Sequence, residues 1–305
     1  MPIQPELLEI LACPDCNGYL HTEGSELYCS GCNRKFEIQN SIPLLYPKNL
    51  KISEFRENIL LSEIENQSRT GKRAEYNAMQ WKQSKQEFWE MIQKKTDNPP
   101  QNILYIGSGF DTGFKAFQKK GHFFINLDLI NDTLETLKTE YNATHCIAGD
   151  LHNLPFQKQC FDALIMIDLL QYEKDLESIL KNIIRFLKPQ GQLFIKEINA
   201  WGLFRFFKPI IMPRSLHAFF RKLCNSSAYK YPLEGRFQSP TSYWKVEQLL
   251  KQFGNFNIQA YPIHAYPGLN KINRRLYSYL SLIKPIPQYL NYHYMFSAIK
   301  RLPSS

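Results

Sequence analysis

The feature that most constrains this chain is a set of four cysteines near its start. Cys13 and Cys16 form one C-x-x-C pair, Cys29 and Cys32 form a second, and twelve residues separate the pairs. Two residues between cysteines let one tight turn point both sulfurs at the same metal ion, so the spacing predicts a four-thiolate zinc site. Zinc with four protein ligands holds structure and performs no chemistry. Residues 1–50 are therefore predicted to be a small domain that depends on metal to fold.

The residues around the cysteines narrow this prediction. The stretches "LLEILACPDCNGYL" and "LYCSGCNRKFEIQNSIPLLYP" resemble the small zinc-ribbon activator subunits that bind and stabilise tRNA, rRNA and release-factor methyltransferases. The resemblance covers about residues 6–47 and includes a strand, a turn and an Ile-Pro pair in "FEIQNSIPLL". It implies that this zinc ribbon serves a methyltransferase domain further along the same chain.

A polar, helix-favouring segment covers residues 51–100. Before "TDNPP" ends the pattern, apolar side chains recur at roughly helical spacing: Met79, Trp81, Phe88, Trp89 and Ile92. The pattern predicts a helical connector that packs on the domain that follows.

Short apolar runs alternate with amphipathic segments from residue 101 onward. The predicted strands are "NILYI", "HFFINLDL", "THCIAGD", "FDALIMID" and "GQLFIKEIN", and the predicted helices are "TGFKAFQKK", "NDTLETLKTEY" and "LESILKNIIRFLK". Such alternation with right-handed crossovers builds a parallel sheet covered by helices on both faces. In a sheet of this kind, ligands bind beyond the carboxyl ends of the strands.

Glycine or aspartate follows three of the predicted strands. Gly107 and Gly109 come after the first strand, Asp128 after the second and Asp150 after the third. Glycines admit a cofactor close to the backbone, while one carboxylate can accept both hydroxyls of a ribose and the other an adenine amino group. Each residue alone is also explained by a turn or a helix cap. Their order along the chain predicts a cofactor site at one edge of the sheet.

The same region resembles the class I S-adenosylmethionine-dependent methyltransferases of the type 11 kind. The residues that carry the resemblance are "YIGSG", "NLDL", "AGDLHNLPFQKQCFDALIMIDLLQY" and "LKPQGQLFIKE". The glycine loop would line the methionine and ribose, the second strand end the ribose, the third the adenine and the fourth the methyl donor. The residues that would contact S-adenosylmethionine are Gly107, Ser108, Gly109, Asp111, Asp128, Leu129, Asp150, Leu151 and Asp168.

This resemblance also implies how the sheet is completed. After the fifth strand, "YWKVEQLLKQFG", "NFNIQAYPI" and "YHYMFSAIK" supply a helix and an antiparallel pair of strands. The predicted fold class is α/β, a Rossmann-like, mostly parallel, seven-stranded sheet with helices on both faces, preceded by the four-cysteine zinc ribbon. The domain covers residues 101–305 and carries insertions at about 200–240 and 266–290. Insertions over this edge form lids and substrate pockets.

The glycine loop and its surroundings depart from the family pattern at three positions. An acidic residue is frequent where Tyr105 stands, a third glycine where Asp111 stands, and histidine where Gln171 stands. S-adenosylmethionine has no phosphate for a third glycine to approach. Either Asp111 or Thr112 can then cap the following helix, and Asp111 is hypothesised to face the ammonium group of the methyl donor. The same departures support a rival hypothesis, a methyltransferase-like binding protein that has lost turnover.

The catalytic residues are unknown from the sequence. A sulfonium methyl group is already activated, so positioning and exclusion of water account for most of the catalysis, with a base where the acceptor must lose a proton. The candidate bases are His152, His264, Asp168 and Glu197. The remaining cysteines, interpreted as small apolar residues, are Cys146, Cys160 and Cys224.

The net charge of +9 is concentrated toward the C-terminus. Residues 196–305 hold 16 Lys and Arg against 3 Asp and Glu, partly in the amphipathic stretches "RSLHAFFRKL" and "NKINRRLYSYLSLIK". These stretches predict either helices that cap the active site or a surface for an anionic membrane or nucleic acid. The acceptor is expected to be a lipid-linked, sugar or other small molecule, with RNA or protein of the translation apparatus as the alternative. With no signal peptide and no apolar run of about 18 residues, the chain is expected to be cytoplasmic, either free or peripheral to the membrane.

Overall fold

The computed structural model describes residues 3–50, 85–173, 175–198, 243–254, 256–262 and 293–301. Both predicted insertions, the first part of the connector and three of the residues singled out above lie outside these ranges. Those three residues are Cys224, Met79 and His264.

The N-terminal part forms a four-cysteine module, a name used here for residues 3–50. One short helix precedes four strands that pair antiparallel in succession. The elements are α1 (Pro5–Ile10), β1 (Leu20–Glu23), β2 (Glu26–Cys29), β3 (Lys35–Gln39) and β4 (Ile42–Leu45). Apolar side chains such as Leu27 and Phe36 are buried where polar neighbours on the same strands are exposed, so one face of this hairpin stack packs inward.

The α/β domain follows the connector helix α2, which is described over residues 85–95. Its strands are β5 (Asn102–Ile106), β6 (Phe123–Asp128), β7 (His145–Gly149), β8 (Phe161–Ile167), β9 (Leu187–Ile198), β10 (Phe256–Pro262) and β11 (His293–Lys300). Its helices are α3 (Lys115–Lys119), α4 (Asn131–Tyr141), α5 (Leu176–Ile184) and α6 (Tyr243–Phe253). These elements confirm the predicted alternation, and α4 has the predicted bounds.

The sheet order is β1-β2-β3-β4-β7-β6-β5-β8-β9-β11-β10. Strands β5 to β9 pair parallel, whereas β11 runs antiparallel to both β9 and β10. The sheet thus has eleven strands over the described ranges instead of the predicted seven. The physical reason is that β4 adds in parallel to the edge strand β7, which joins the four-cysteine module to the sheet of the α/β domain.

One boundary differs from the prediction. Leu187 was expected on the apolar face of a helix, but α5 ends at Ile184 and β9 already begins at Leu187. The backbone N–H of Phe161 donates to Phe186, and Leu187 pairs with Phe161 across the sheet. Pairing with β8 therefore overrides the helical spacing of the apolar residues.

Each face of the central sheet buries an apolar cluster. Leu104 and Ile106 of β5 belong to the first cluster, and Ile103 and Tyr105 to the second, as alternation along a strand requires. The first includes side chains of the four-cysteine module, among them Leu7, Leu11, Leu27 and Phe36. The second includes the connector side chains Phe88, Trp89, Met91 and Ile92. The four-cysteine module and α2 therefore cover different faces of one sheet, and α2 packs on the domain as predicted.

Candidate cofactor and metal sites

The four cysteine sulfurs come together at one end of the four-cysteine module. All four lie within 4.8 Å of one another, with 3.7 Å between the sulfurs of Cys13 and Cys32 and 3.4 Å between those of Cys16 and Cys29. Tetrahedral zinc with bonds of about 2.3 Å needs sulfurs roughly 3.8 Å apart, so the arrangement fits that ion. A Cβ on Gly18 would lie 2.9 Å from the Cys29 sulfur, which explains glycine there.

The module reaches the α/β domain at the carboxyl end of β7. Leu44 pairs with Ala148 and Leu45 with Gly149, the residue before Asp150. The next residue of the module, Tyr46, donates its hydroxyl to the backbone carbonyl of Leu129 over 3.0 Å. The module thus touches the chain beside two of the predicted cofactor-contacting aspartates.

A second backbone contact runs along the other side of the same loop. The N–H of Ala12 donates to the carbonyl of Pro155 over 2.9 Å, and the N–H of Gln157 donates to the carbonyl of Ile10 over 2.8 Å. Backbone bonds of this kind hold a loop more rigidly than side-chain packing alone. The four-cysteine module therefore grips the segment after β7 from two directions.

The glycine loop follows β5 and adopts a backbone that favours glycine. Gly107 has φ 70° and Gly109 has φ 50°, both in the left-handed region. A Cβ on Gly109 would meet no atom within 4 Å, so the loop leaves a space there that a cofactor can enter. The hydroxyl of Ser108 is buried and has no hydrogen-bond partner among the described residues. An open cradle and an unused polar atom both fit a bound polar ligand.

Asp128 links the glycine loop to the end of β6. One carboxylate oxygen accepts the N–H of Gly109 over 2.8 Å and the other accepts the N–H of Ile130 over 3.0 Å. Burial raises the pKa of Asp128, and these backbone N–H groups partly oppose the rise. Each oxygen keeps a lone pair for a further donor, such as a ribose hydroxyl.

Asp150 caps the short 3-10 turn over Leu151–Asn153. Its carboxylate accepts the N–H of His152 over 3.1 Å and the side-chain amide of Asn153 over 3.3 Å. Asp150 is buried, and Leu151 beside it is 9% exposed. The turn presents the acidic group next to Asp128, as the sequence predicts for one cofactor edge.

Asp111 is already surrounded by hydrogen-bond donors. One oxygen of its carboxylate lies 3.2 Å from the Tyr105 hydroxyl, 3.4 Å from the Trp89 indole nitrogen and 2.9 Å from the Lys85 ammonium. The other oxygen accepts the N–H of Gly113 over 3.0 Å. The predicted helix cap at 111 or 112 is wrong, because α3 begins at 115 after an N-cap at Phe114 with no side-chain bond.

Asp168, at the end of β8, pairs with Lys196 of β9 through both carboxylate oxygens, at 3.1 and 2.9 Å. Next to this pair, one oxygen of Glu197 accepts the N–H groups of Leu169 and Leu170 over 2.7 Å each. Desolvation and the charge of Asp168 raise the pKa of Glu197 to about 8. The last turn of β9 therefore holds the loop that follows β8.

The remaining candidate bases and departures are also located. His152 lies 3.3 Å from Glu173, whose hydrogen bond raises the pKa of the imidazole, and more than half of its side chain is exposed. Gln171 is buried and donates to the carbonyl of Asp168 over 2.9 Å. These pairings give no candidate a free position from which to take a proton, so the catalytic base stays unassigned. Cys146 and Cys160 are buried, as expected of small apolar residues.

Sequence reasoning missed Lys85, Lys196 and Tyr46. One signal for the connector was available: a Cβ on Gly113 would lie 2.0 Å from the Trp89 ring, so glycine at 113 marks a close approach by another element. Neither lysine carries such a signal, because each meets its carboxylate only after elements distant in sequence have packed.

The geometry at this edge defines a class of protein. A glycine loop at the first parallel strand and acidic residues at the next two are typical of Rossmann-like domains that bind a nucleoside-bearing cofactor. Comparison with known families matches residues 104–195 to the methyltransferase domain family and residues 4–41 to the Trm112p-like protein family. The chain is accordingly an S-adenosylmethionine-dependent methyltransferase with a Trm112p-like N-terminal domain, which confirms both resemblances.

Three known proteins illustrate the similarity. A demethylmenaquinone methyltransferase of Streptomyces avermitilis is 29% identical over 156 residues, which cover 50% of this chain and 68% of that protein. The ubiquinone/menaquinone biosynthesis C-methyltransferase UbiE of Vibrio cholerae is 29% identical over 126 residues, which cover 38% of this chain and 45% of that protein. Phosphoethanolamine N-methyltransferase 2 of Haemonchus contortus superposes with a TM-score of 0.47 at 17% identity, over 71% of this chain and 53% of that one.

The chain therefore spans only part of the length of each of these relatives. Within the described ranges, no helix is long and apolar enough to cross a membrane.

Proposed function

We propose that this chain transfers a methyl group from S-adenosylmethionine to a small, lipid-linked ring compound of the quinone type. The observation that carries the activity is the convergence of Gly109, Asp128 and Asp150 at the carboxyl edge of one parallel sheet. The acceptor class rests on the similarity to relatives named for demethylmenaquinone and ubiquinone/menaquinone methylation.

The residues at this edge fit S-adenosylmethionine, which supplies an activated methyl group when bound. Asp128 has lone pairs left for the ribose hydroxyls, and Asp150 with the Leu151 backbone suits the adenine. Gly107, Ser108 and Gly109 would border the ribose and methionine, with Leu129 beside the ribose and Asp168 beside the methyl donor. These residues bind and orient; since in-line transfer depends on alignment, that is where their contribution to the rate lies.

Two exposed aromatic side chains support an apolar ring as acceptor. Phe110, inside the glycine loop, is 51% exposed, and Tyr172, in the loop after β8, is 42% exposed. Large aromatic groups left in contact with water beside a cofactor loop are typical of a binding surface for apolar or aromatic ligands. The basic, aromatic stretches within residues 200–240 and 266–290, which lie outside the described ranges, would then face an anionic membrane surface or cover the ring.

The four-cysteine module is proposed to be a built-in zinc ribbon in place of a separate activator subunit. Domain boundaries at residues 1–50, 51–100 and 101–305 follow from this division. Zinc on Cys13, Cys16, Cys29 and Cys32 would fix the module, and the module would fix the loops after β6 and β7 through Tyr46 and β4. Its apolar side chains also cover sheet surface that the α/β domain would otherwise expose.

The activity is tested with methyl-labelled S-adenosylmethionine and zinc-loaded protein. Reduced demethylmenaquinone, bulk tRNA and ribosomal protein are offered as separate acceptors, and Asp128→Asn serves as the control that weakens cofactor binding. We expect label in the quinone, matched by S-adenosylhomocysteine, and much less of both with the control. Label in the RNA or protein fraction alone would favour the translation apparatus instead. No label and no S-adenosylhomocysteine in any fraction would favour a non-catalytic binding protein.

A further inference from the structure

The connector helix α2 carries a cation to the glycine loop. The Lys85 ammonium lies 2.9 Å from the Asp111 carboxylate, and 17% of the lysine side chain and 9% of the aspartate side chain are exposed. Trp89, one turn further along α2, packs edge-on against Tyr105 and lies against Gly113. The contact is therefore built into the packing of the helix on the loop and does not depend on the lysine alone.

The Asp111 carboxylate has no acceptor position left for another ligand. A carboxylate offers about four lone-pair sites. Tyr105, Trp89, Lys85 and the N–H of Gly113 take four. Burial, followed by the charge of Asp111, raises the pKa of Tyr105, so its hydroxyl stays protonated and continues to donate. An ammonium group from a cofactor could reach Asp111 only by displacing one of these donors, which argues against the contact expected from the sequence.

Lysine has capacity where aspartate has none. An ammonium group has three N–H donors, and one bond to Asp111 leaves others for an incoming acceptor. The comparable lysine after β8, Lys196, is fully buried and is held by both oxygens of Asp168. Of the two lysines that pair with carboxylates of these described loops, Lys85 is thus the one able to meet an anionic ligand.

We propose that Lys85 binds the carboxylate of the methionyl group of S-adenosylmethionine, and that Asp111 is a positioning residue that holds the Lys85 ammonium in place. The inference rests on the proposed cofactor site and adds a residue from outside the α/β domain. It gives the connector a second role besides covering the sheet, because the amino-acid end of the cofactor would be bound by a helix that precedes the domain.

Calorimetric titration with three ligands tests this assignment. S-adenosylhomocysteine has the whole amino-acid end, decarboxylated S-adenosylmethionine lacks only the carboxylate, and 5′-methylthioadenosine lacks both charged groups. For Lys85→Met we expect affinity for S-adenosylhomocysteine to fall about ten-fold, the worth of one charge-assisted hydrogen bond, and affinities for the other two ligands to stay within about two-fold. Asp111→Asn should give the same selective loss.

The controls separate a binding role from a structural one. Lys94→Met changes an exposed lysine on the same helix and should leave all three affinities unchanged. Lys85→Arg keeps the charge and should retain most of the affinity for S-adenosylhomocysteine, which answers any concern that the methionine variant fails to fold.

The outcomes also separate this inference from the function on which it rests. Equal losses for all three ligands, or no loss, would overturn the role of Lys85. A fall in the affinity of Asp111→Asn for decarboxylated S-adenosylmethionine would mean that Asp111 meets the ammonium directly, which overturns its positioning role. Failure of the wild-type protein to bind any of the three would instead overturn the proposed cofactor site.

Discussion

The two ends of the candidate cofactor site are built in different ways. At the adenosine end, Asp128 and Asp150 each accept backbone N–H groups from their own or the neighbouring loop. At the amino-acid end, Asp111 and Asp168 are paired with lysines that lie 26 or 28 residues away along the chain. The first end is made rigid by local turns, whereas the second needs the connector helix and β9 to be in place.

The supports behind the two ends differ as well. The four-cysteine module backs the adenosine end through β4 and Tyr46, while α2 backs the amino-acid end through Trp89 and Lys85. A metal-dependent element and a metal-independent element thus hold the same site from opposite faces of the sheet. The comparison predicts that damage to each support will affect a different part of the ligand.

Removal of zinc should have the largest effect. A structural zinc ion contributes about 10 kcal/mol or more to the folding of so small a module, and its loss should expose the apolar side chains that the module shares with the sheet. We expect a strong chelator to lower the melting temperature markedly and zinc to restore it. A melting curve unchanged by chelator would contradict the metal assignment and the claimed support of the adenosine end.

The pH dependence of stability should reveal the strain at the amino-acid end. Burial and Asp168 raise the pKa of Glu197 to about 8, above its ordinary value, so the folded protein keeps a proton that the unfolded chain releases. The unfolding free energy should therefore fall as pH rises from about 4.5 to about 8, by about 1.4 kcal/mol per pH unit from this group.

Melting temperatures of wild type and Glu197→Gln at pH 5.5 and 8.5 measure that contribution. The variant cannot titrate at this position, so the wild type should lose more stability than the variant between the two pH values. Equal losses would mean that Glu197 is ionised throughout and that its burial carries no such cost.

Asp128→Asn should separate the two ends of the ligand. The substitution replaces a charged acceptor by a neutral one at the ribose, where charge-assisted bonds are worth about 1.5–3 kcal/mol, so affinity should fall roughly ten- to a hundred-fold. Because the ribose is common to S-adenosylhomocysteine and 5′-methylthioadenosine, both should lose affinity equally in a calorimetric titration. A loss confined to S-adenosylhomocysteine would place the effect at the amino-acid end and break the comparison.

Tyr46→Phe should produce the smallest effect. It removes one hydrogen bond, to the Leu129 carbonyl, worth about 1 kcal/mol. Affinity for 5′-methylthioadenosine should fall about two- to five-fold. The matched control is Tyr28→Phe, since that hydroxyl bonds only Glu26 in the same module and stays away from the cofactor edge. An equal loss in both variants would argue against a specific path from Tyr46 to the adenosine end.

The same contrast explains how much could be predicted from the sequence. The cysteine pairs, the strand ends with Asp128 and Asp150, and the bounds of α4 follow from spacing within short segments, and the structure agrees with them. The eleven-stranded sheet could not be predicted, because β4 and β7 pair across about a hundred residues and neither strand announces its partner. The same reason hid the Lys85 contact, since a lysine on a polar helix face is ordinarily solvated.

The central claim, that this edge of the sheet holds S-adenosylmethionine, is tested most directly by one calorimetric titration. Zinc-loaded wild-type protein is titrated with S-adenosylmethionine, and Asp128→Asn is titrated in parallel. We predict binding at a single site by the wild type and an affinity at least about ten-fold lower for the variant. Absence of binding by zinc-loaded wild-type protein, or equal affinity in the two proteins, would contradict the account.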